Sequence, residues 1–275
     1  MENYNVIVCA PTKNCASYIE KQINKLLEFK TLFKTLDILI YENDSNDNSV
    51  DILKKLENQG KINLISEKGI NKLRIRTLII AHARNKLVEY AIDKNKYDYI
   101  IMLDIDINLQ KFDLNNIRKA FSYDNDSWDV LTANCTHKYY DIWALRISKK
   151  QWSDIHAKIW KKCIDFDCWD MINHKKGGRI QYIKEFQKKI PYDSPLIPVT
   201  SAFGGMGIYK ISKIKNCKYE GFTRQCSCKN YNVNGKCRFD TVDHASFHDD
   251  MITKNNAKLF ICPQLIVDCQ TEHLL

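Results

Sequence analysis

The sequence lacks any long hydrophobic run, so it offers no segment that could cross a lipid bilayer. No apolar stretch approaches the roughly twenty residues that a membrane-spanning helix needs, and no apolar signal region precedes Tyr4. We therefore expect a cytoplasmic protein. The formal net charge of +9 favours an anionic partner and leaves peripheral contact with a membrane surface open.

Glycine and proline are scarce, with nine and five residues in a chain of 275. The first half contains neither the G-x-G-x-x-G fingerprint of dinucleotide-binding folds nor a P-loop sequence. These absences disfavour an NAD-dependent oxidoreductase and a P-loop phosphotransferase. The Lys and Arg residues are scattered singly and form no aromatic-interleaved stripe, so we expect no nucleic-acid partner.

Cysteine, by contrast, is abundant, with eleven residues and no secretion signal. Reduced thiols are the expected state in that setting. Cys217, Cys226, Cys228 and Cys237 cluster in a stretch that has the character of an insertion at 217–237. Their spacing lacks the paired C-x₂-C sequences of common zinc sites, so structural zinc is the less favoured alternative, and the question stays open.

Apolar runs alternate with segments of helical periodicity through the first half of the chain. Strands are predicted over 5–10, 36–41, 62–65, the run that ends at Asp104, 128–135, and 258–267 with a bend at Pro263; helices are predicted from residue 19, around Val50, and over 72–94 and 113–123. This alternation predicts an α/β fold that is Rossmann-like, with a mostly parallel central sheet flanked by helices in a single large domain.

The apolar run from Tyr99 ends in two acids, Asp104 and Asp106. Side chains alternate across a strand, so both carboxylates are expected on one face while Ile105 points into the core. Ligands of open α/β sheets bind at the carboxyl ends of the strands, and paired carboxylates suit Mg²⁺ or Mn²⁺ that also holds phosphate. The alternative is a loop that merely solvates two acids.

Three of the nine glycines fall within 203–209. A chain that uses glycine so sparingly is expected to need it there for a positive φ or for close approach of the backbone to a ligand, with a tight strand entry as the rival interpretation. The segment 137–190 holds four of the five Trp residues. Aromatic rings near polar groups suit sugar faces, and ordinary packing is an equal alternative.

A helix-like segment at 242–250 carries titratable groups at its start, so a catalytic acid or base could lie there. His244 and His248 are four residues apart and could face one metal ion. A surface helix of polar residues is the commoner explanation of such a pattern.

The whole chain resembles the GT-A-fold glycosyltransferases. Four features stand in that family's order: Asp104-Ile105-Asp106 is similar to its D-x-D, 203–209 to its glycine loop, Asp243-His244 lies near its x-E-D position, and His273 is similar to its C-terminal metal-binding His. The resemblance implies nucleotide-sugar-dependent hexosyl transfer with Mn²⁺ or Mg²⁺, held by Asp104, Asp106 and His273.

The resemblance also assigns roles along the chain, with a nucleotide-sugar-binding half at 1–110 and an acceptor-binding half at 111–275. It implies nucleotide contacts from Pro11, Thr12, Asn14, Glu42, Asp44, Arg76, Arg84 and Asp104. It implies sugar or acceptor contacts from Trp143, Arg146, Gly204, Gly205 and His244. Because Asp243-His244 replaces the usual Glu-Asp, the implied catalytic base is Asp243, Asp249 or Asp250, or is absent.

We therefore expect transfer of a hexose from a UDP- or GDP-sugar to an acceptor hydroxyl on a glycan, protein or lipid. Nucleotidyl transfer uses a similar sheet and acidic metal ligands, but it needs an early basic phosphate-binding loop, for which Lys13 is the only candidate. A non-catalytic binding module on a retired transferase fold is the other alternative. A looser similarity to the capsule-associated mannosyltransferases leaves the donor sugar open, as it does the acceptor, the stereochemistry and the oligomeric state.

Overall fold

The computed structural model describes residues 1–164, 179–221 and 241–268. Its strands are, in chain order, β1 (Asn5–Thr12), β2 (Thr35–Asn43), β3 (Asn63–Glu67), β4 (Tyr99–Leu103), β5 (Val130–Cys135), β6 (Ile197–Pro198), β7 (Met206–Lys210) and β8 (Leu259–Val267). They form one sheet in the order β3-β2-β1-β4-β7-β5-β8-β6. Parallel pairing joins β3 to β2, β2 to β1, β1 to β4 and β5 to β8. The remaining three pairs are antiparallel.

Helices connect and flank these strands. They are α1 (Ile19–Leu27), α2 (Ser49–Asn58), α3 (Arg76–Asp93), α4 (Asn115–Ala120), α5 (Asp154–Ile159), α6 (Arg179–Phe186), α7 (Ile211–Ile214) and α8 (Asp243–Asn255). Short 3₁₀ turns lie at Glu28–Thr31, Ile70–Leu73, Leu109–Lys111 and Asn125–Ser127. The predicted α/β domain with a mostly parallel sheet flanked by helices is confirmed.

The long helix predicted over 72–94 begins later than its periodicity suggested. A 3₁₀ turn occupies Ile70–Leu73, and Arg74 then adopts a left-handed conformation with φ 57°. A residue in that conformation cannot continue a right-handed helix, so α3 starts at Arg76.

The sheet is buried because its central strands are apolar on both faces. All five residues of β4 are at most 2% exposed, as expected of a parallel strand covered by helices. The strands β1, β2, β4, β5 and β8 all run in one direction, so their carboxyl ends meet at one edge of the sheet. Strand β7 enters from that same edge, and this arrangement positions the candidate site.

The predicted bend at Pro263 coincides with an irregularity in the pairing of β8 with β5. Thr132 pairs with Ile261, whereas Asn134 already pairs with Ile266. The side-chain amide of Asn134 donates to the carbonyl oxygen of Pro263 at 3.2 Å. This bond satisfies one backbone acceptor that the ladder leaves without a partner.

Within the described ranges, no helix is both long and apolar enough to span a membrane. The described cysteines carry free thiols; they are Cys9, Cys15, Cys135, Cys163, Cys217 and Cys262. Of the four residues considered for zinc, Cys226, Cys228 and Cys237 lie outside the described residues. The alternative of a zinc site therefore stays untested.

Candidate active site

The first candidate ligand, Asp104, lies just beyond the carboxyl end of β4. The strand ends at Leu103, and a turn follows in which the N–H of Ile107 donates to the carbonyl oxygen of Asp104 at 3.2 Å. Ile105 is buried and Asp106 is exposed. The prediction that both acids leave one face of a strand is therefore wrong in its geometry, because a turn carries them to the edge. The predicted burial of Ile105 is confirmed.

A single buried arginine joins the end of β4 to the start of α8. Arg84, on α3, donates from Nη2 to Oδ1 of Asp104 at 2.6 Å and from Nη1 to Oδ2 of Asp243 at 2.5 Å. Only 5% of the Arg84 side chain and 5% of the Asp243 side chain are exposed. Burial disfavours a charged guanidinium, but Asp243 and Asp104 raise the pKa of Arg84 above its ordinary value. Arg84 therefore stays charged and holds two distant segments together.

Asp141 brings a further carboxylate to this edge, and no role was predicted for it from the sequence. It follows β5, and its side chain accepts from the N–H of Gly204 at 3.0 Å and from the N–H of Ala144 at 3.2 Å. Asp141 is 8% exposed. It therefore fixes the glycine loop while adding negative charge near Asp104.

The carboxylates at this edge repel one another. Burial raises the pKa of Asp104 to about 7; Arg84 opposes that rise, and the charges of Asp106, Asp141 and Asp243 add to it. Burial also raises the pKa of Asp141, although two backbone amides oppose the rise. One guanidinium does not balance four carboxylates, so the edge favours a further cation.

The third predicted metal ligand, His273, lies outside the described residues. Within the part of the chain that the structure describes, no three His, Cys, Asp or Glu side chains are grouped to hold a metal ion by themselves. Asp268 is the last described residue, and its carbonyl oxygen accepts from the N–H of Asn108 at 3.1 Å. The chain thus leaves β8 beside the turn that carries Asp104 and Asp106.

The glycine loop lies against the same turn. Gly204 and Gly205 have φ values of 67° and 90°, and the N–H of Asp104 donates to the carbonyl oxygen of Gly205 at 2.9 Å. A Cβ atom on Gly204 would lie 2.5 Å from the carbonyl oxygen of Ala133, and one on Gly205 would lie 2.8 Å from Cγ2 of Ile107. The predicted need for positive φ is confirmed, and the close approach is to the protein's own atoms.

Replacing Gly204 by Ala is expected to destabilise the protein by about 3 kcal/mol, because the new Cβ meets strain at positive φ and a clash with fixed backbone. Gly60 is a matched control, since its φ is 66° and no atom lies within 4 Å of its Cβ position. Gly60→Ala should cost only about 1 kcal/mol. Urea unfolding of both variants measures the difference, and equal losses would contradict the proposed clash.

Glu42 and Asp44, two of the predicted nucleotide contacts, bind the protein itself. Glu42 accepts from the N–H of Ser45 at 2.8 Å and from the hydroxyl of Ser66 at 2.6 Å. Asp44 accepts from two backbone N–H groups of 69–71 at 2.5 and 2.7 Å. Both side chains therefore shape the loop at the end of β2, and their contact with a nucleotide stays a prediction.

The other predicted nucleotide contacts lie along the same edge. Thr12 is the last residue of β1 and is buried, while Pro11 before it is half-buried. Asn14 is exposed, and its Oδ1 accepts from the N–H of Asn46 at 2.9 Å. Arg76 is exposed at the first residue of α3. The carboxyl edge of the sheet thus has a buried residue at the end of β1, with exposed polar and basic side chains around it.

Comparison with known families identifies this architecture. The model of glycosyl transferase family 2 matches residues 7–189, which is more than half of the chain. The chain belongs to glycosyl transferase family 2.

Solved structures are similar to this family 2 chain at low sequence identity. The mannosyltransferase PcManGT from Pyrobaculum calidifontis, in complex with GDP-Man and Mn²⁺, is 13% identical with a TM-score of 0.52, and the match covers 97% of this chain and 56% of that one. Residues 1–349 of S. aureus TarS, in complex with UDP-GlcNAc, are 13% identical with a TM-score of 0.49, covering 97% and 59%. This chain thus spans little more than half the length of these proteins. No curated protein gave a significant match.

The three candidate bases of this family 2 chain lie in different surroundings. Asp243 is the first residue of α8 and is held by Arg84. Asp249 lies six residues further along α8 and is exposed, on a side of the helix turned well away from Asp243. Asp250 is buried and accepts from the N–H of Lys218 at 3.0 Å. Of these acids, the structure brings only Asp243 close to Asp104, Asp106 and Asp141, with which it forms the carboxylate cluster.

Trp143 and Arg146 belong to the segment that follows Asp141. Arg146 donates from Nη1 to the carbonyl oxygens of Trp143 and Leu145 at 2.7 and 2.8 Å. Trp143 is half-buried. Trp160 is buried in the core, so at least this Trp serves packing. The sugar-binding roles of Trp143 and Arg146 stay predictions.

The polar surface helix predicted for 242–250 is wrong, because α8 buries the face that carries both histidines. His244 is 2% exposed and His248 is fully buried. His248 is bonded through its two ring nitrogens to the hydroxyls of Ser201 at 3.0 Å and Tyr209 at 3.1 Å. It is therefore engaged in the core and is not placed to share a metal ion with His244.

His244 follows Asp243 at the start of α8 and is enclosed by aromatic packing. Its ring stacks on Phe203 with centroids 3.8 Å apart, and among the described residues neither ring nitrogen has a hydrogen-bond partner. Burial lowers the pKa of His244 well below its ordinary value, and the charges of Arg84 and His248 add to this effect. The imidazole is thus neutral, enclosed and unpaired.

Replacing His244 by Phe is expected to stabilise the protein by about 1–2 kcal/mol at pH 7.5, because an unpaired buried polar group is removed. The gain should grow below about pH 6.5, where the unfolded histidine takes up a proton that the folded one refuses. This proton uptake by the unfolded state lowers the free energy of unfolding of the wild type by about 1.4 kcal/mol per pH unit, and the Phe variant lacks this contribution. Urea unfolding at pH 7.5 and 5.5 measures both effects.

His248→Phe is the matched control on the same helix. It removes a histidine of equal burial whose two partners, Ser201 and Tyr209, would then be left unpaired. This variant should lose stability at pH 7.5. A loss of stability in His244→Phe would show that its ring nitrogens have partners after all.

Proposed function

We propose that the protein transfers a hexose from a UDP- or GDP-sugar to an acceptor hydroxyl on a glycan, protein or lipid, using Mn²⁺ or Mg²⁺. The observation that carries this proposal is the cluster of Asp104, Asp106, Asp141 and Asp243 around one buried arginine at the carboxyl edge of the sheet. That edge is where ligands of open α/β sheets bind. Membership of glycosyl transferase family 2 supports the same reaction class.

The residues present fit a divalent cation that shares its coordination with phosphate. Asp104 and Asp106 offer hard oxygen ligands, and the negative charges of Asp106, Asp141 and Asp243 add to the burial that raises the pKa of Asp104, so a cation would relieve their repulsion. Two carboxylates suffice where substrate phosphates and water supply the remaining ligands. When bound there, the ion would offset the charge that develops on the departing diphosphate.

Asp243 is the proposed general base. In a direct displacement its carboxylate takes the proton of the acceptor hydroxyl, the acceptor oxygen bonds to the anomeric carbon, and the bond from that carbon to the diphosphate oxygen breaks. The anomeric configuration would be inverted by this step. Burial of Asp243 beside Arg84 supports the assignment, because an enclosed carboxylate keeps its orientation.

A solved structure with the same fold and the charge of the chain support a nucleotide-sugar donor. The structure of PcManGT, which shares this fold, was determined with GDP-Man and Mn²⁺. The exposed Asn14 and Arg76 lie at the edge where a nucleotide would approach the cluster. The positive net charge of +9 further favours an anionic donor.

Thermal unfolding with UDP, GDP or CMP, each with Mn²⁺ and again with EDTA, tests the proposal. One diphosphate should stabilise the protein by about 2.7 kcal/mol at a hundred times its Kd, because it binds the native state only. EDTA should remove most of that gain. A gain from one nucleotide would also name the donor class.

Two outcomes would contradict the proposal. The absence of stabilisation by any nucleotide, with or without Mn²⁺, would favour a non-catalytic binding module. Release of pyrophosphate from a nucleoside triphosphate and a sugar phosphate would favour nucleotidyl transfer.

A further inference from the structure

Arg84 is shared between two carboxylates to which the proposed function gives different tasks. Its Nη2 is bonded to Asp104, a proposed cation ligand, and its Nη1 to Asp243, the proposed base. The two acids lie 139 positions apart in the sequence, yet one side chain links them. If one carboxylate loses its hydrogen bond to Arg84, the interaction of the guanidinium with the other carboxylate therefore changes too.

The surroundings of Arg84 prevent it from turning to water instead. Its side chain is 5% exposed, and its guanidinium carbon lies 4.9 Å from the ring centroid of Phe203 and 5.8 Å from that of Tyr219. Nε of Arg84 is buried and has no hydrogen-bond partner in the part of the chain that the structure describes. The two carboxylates are thus the only hydrogen-bond acceptors that the described residues give this charge. If either is lost, the other should receive the guanidinium undivided.

Sharing sets Arg84 in competition with the cation. Asp104 accepts the hydrogen bond from Nη2 at Oδ1, and a metal ion on the same carboxylate would compete with the guanidinium for its negative charge, because both partners are cations. Asp243 draws the guanidinium away from Asp104 by offering a second anion. The affinity of the Asp104 site for a divalent ion should therefore depend on Asp243, through Arg84.

We infer that Arg84 is a positioning residue that couples the cation site at Asp104 to the base at Asp243 by dividing one guanidinium between them. The inference rests on the proposed function, because it takes Asp104 as a cation ligand. It adds a physical link between the cation site at Asp104, on the donor side, and the base at Asp243, on the acceptor side.

A double-mutant cycle on Mn²⁺ affinity tests the coupling without an activity assay. Free Mn²⁺ is measured by electron paramagnetic resonance, with GDP and then UDP present and absent, for wild type, Asp243→Asn, Arg84→Met and the double variant. In the wild-type background, Asp243→Asn should weaken Mn²⁺ binding about tenfold, because the neutral amide attracts Arg84 less than the carboxylate does and the guanidinium shifts toward Asp104. In the Arg84→Met background the same change should weaken it less than about threefold, which leaves only the lost charge.

Arg84→Met alone should bind Mn²⁺ more tightly than the wild type, because a competing cation is removed. Arg118→Met is the matched control, since Arg118 is exposed on α4 and donates to Oδ1 of Asn115 at 3.1 Å, away from the carboxylate cluster. It should leave Mn²⁺ affinity within about twofold. If Arg84→Met does not fold, Arg84→Gln replaces it; this variant keeps hydrogen-bond donors but drops the charge, and the same reduction to less than threefold is expected.

The outcomes separate the two levels of the argument. If Asp243→Asn weakens Mn²⁺ binding equally in both backgrounds, the coupling is overturned while the proposed cation site stands. If the wild type binds no Mn²⁺, with or without either nucleotide, the proposed metal-dependent function fails, and the coupling fails with it.

Discussion

Asp104→Asn is expected to lower turnover by about a thousandfold and to abolish nucleotide stabilisation that depends on Mn²⁺. The change removes a formal charge from the cluster at the end of β4 and leaves a weaker ligand for a hard cation. A loss of about 4 kcal/mol of transition-state stabilisation corresponds to that factor. Steady-state kinetics over a range of Mn²⁺ concentrations, together with thermal unfolding with and without nucleotide, measures both effects.

Asp93→Asn is the control for Asp104→Asn. Asp93 is exposed at the last residue of α3, the helix that leads to the opposite end of β4, so its loss should leave turnover within about twofold. Folding of Asp104→Asn itself is checked by its unfolding transition in EDTA. A folded Asp104→Asn protein with full metal-dependent turnover would end the assignment of Asp104 as a cation ligand.

Most of the sheet could be predicted from the sequence because its central strands are buried on both faces. Apolar runs such as 99–103 can be recognised without knowing their neighbours, and their carboxyl ends mark one edge of a parallel sheet. This reasoning found Asp104, whereas the glycine loop was recognised from the concentration of a scarce residue. It did not fix where β4 ends, because Asp104 and Ile105 continue the alternation in the sequence while the backbone already turns.

Asp141 escaped prediction because its place depends on sheet order. The strand before it, β5, reaches the carboxyl edge only because antiparallel β7 lies between it and β4. No local pattern in 137–146 reveals that insertion. An acid shortly after any predicted strand is the one signal that would have included Asp141 among the candidates.

The role of Arg84 did leave a trace in the sequence. In α3 the residues Ala81, Val88 and Ala91 form a buried stripe at helical spacing, and Arg84 lies on that stripe. A charged residue on an apolar face is rarely buried without a partner, so its position indicates acidic partners inside the protein. The resemblance to related enzymes pointed to the nucleotide instead. The structure pairs Arg84 with the two acids.

At saturating Mn²⁺, Asp243→Asn is expected to lower kcat by about 10²–10⁴-fold while the KM for the donor changes little, because a general base acts on the acceptor proton in the transition state. Of the predicted nucleotide contacts, Arg84 and Asp104 belong to the carboxylate cluster, and the others lie along the ends of β1 and β2 and at the start of α3. The amide preserves the size of the side chain and one acceptor for Arg84, so the protein should still fold. Initial rates at saturating donor with varied acceptor measure the loss.

Asp249→Asn tests whether Asp249, rather than Asp243, is the catalytic base. The exposed position of Asp249, six residues after Asp243 on α8, predicts that its replacement leaves kcat within about twofold. If Asp249→Asn loses turnover and Asp243→Asn keeps it, the base assignment is wrong, and Asp243 serves only to hold Arg84. If both variants keep full turnover, deprotonation of the acceptor depends on neither Asp243 nor Asp249, and direct displacement with Asp243 as the base is excluded.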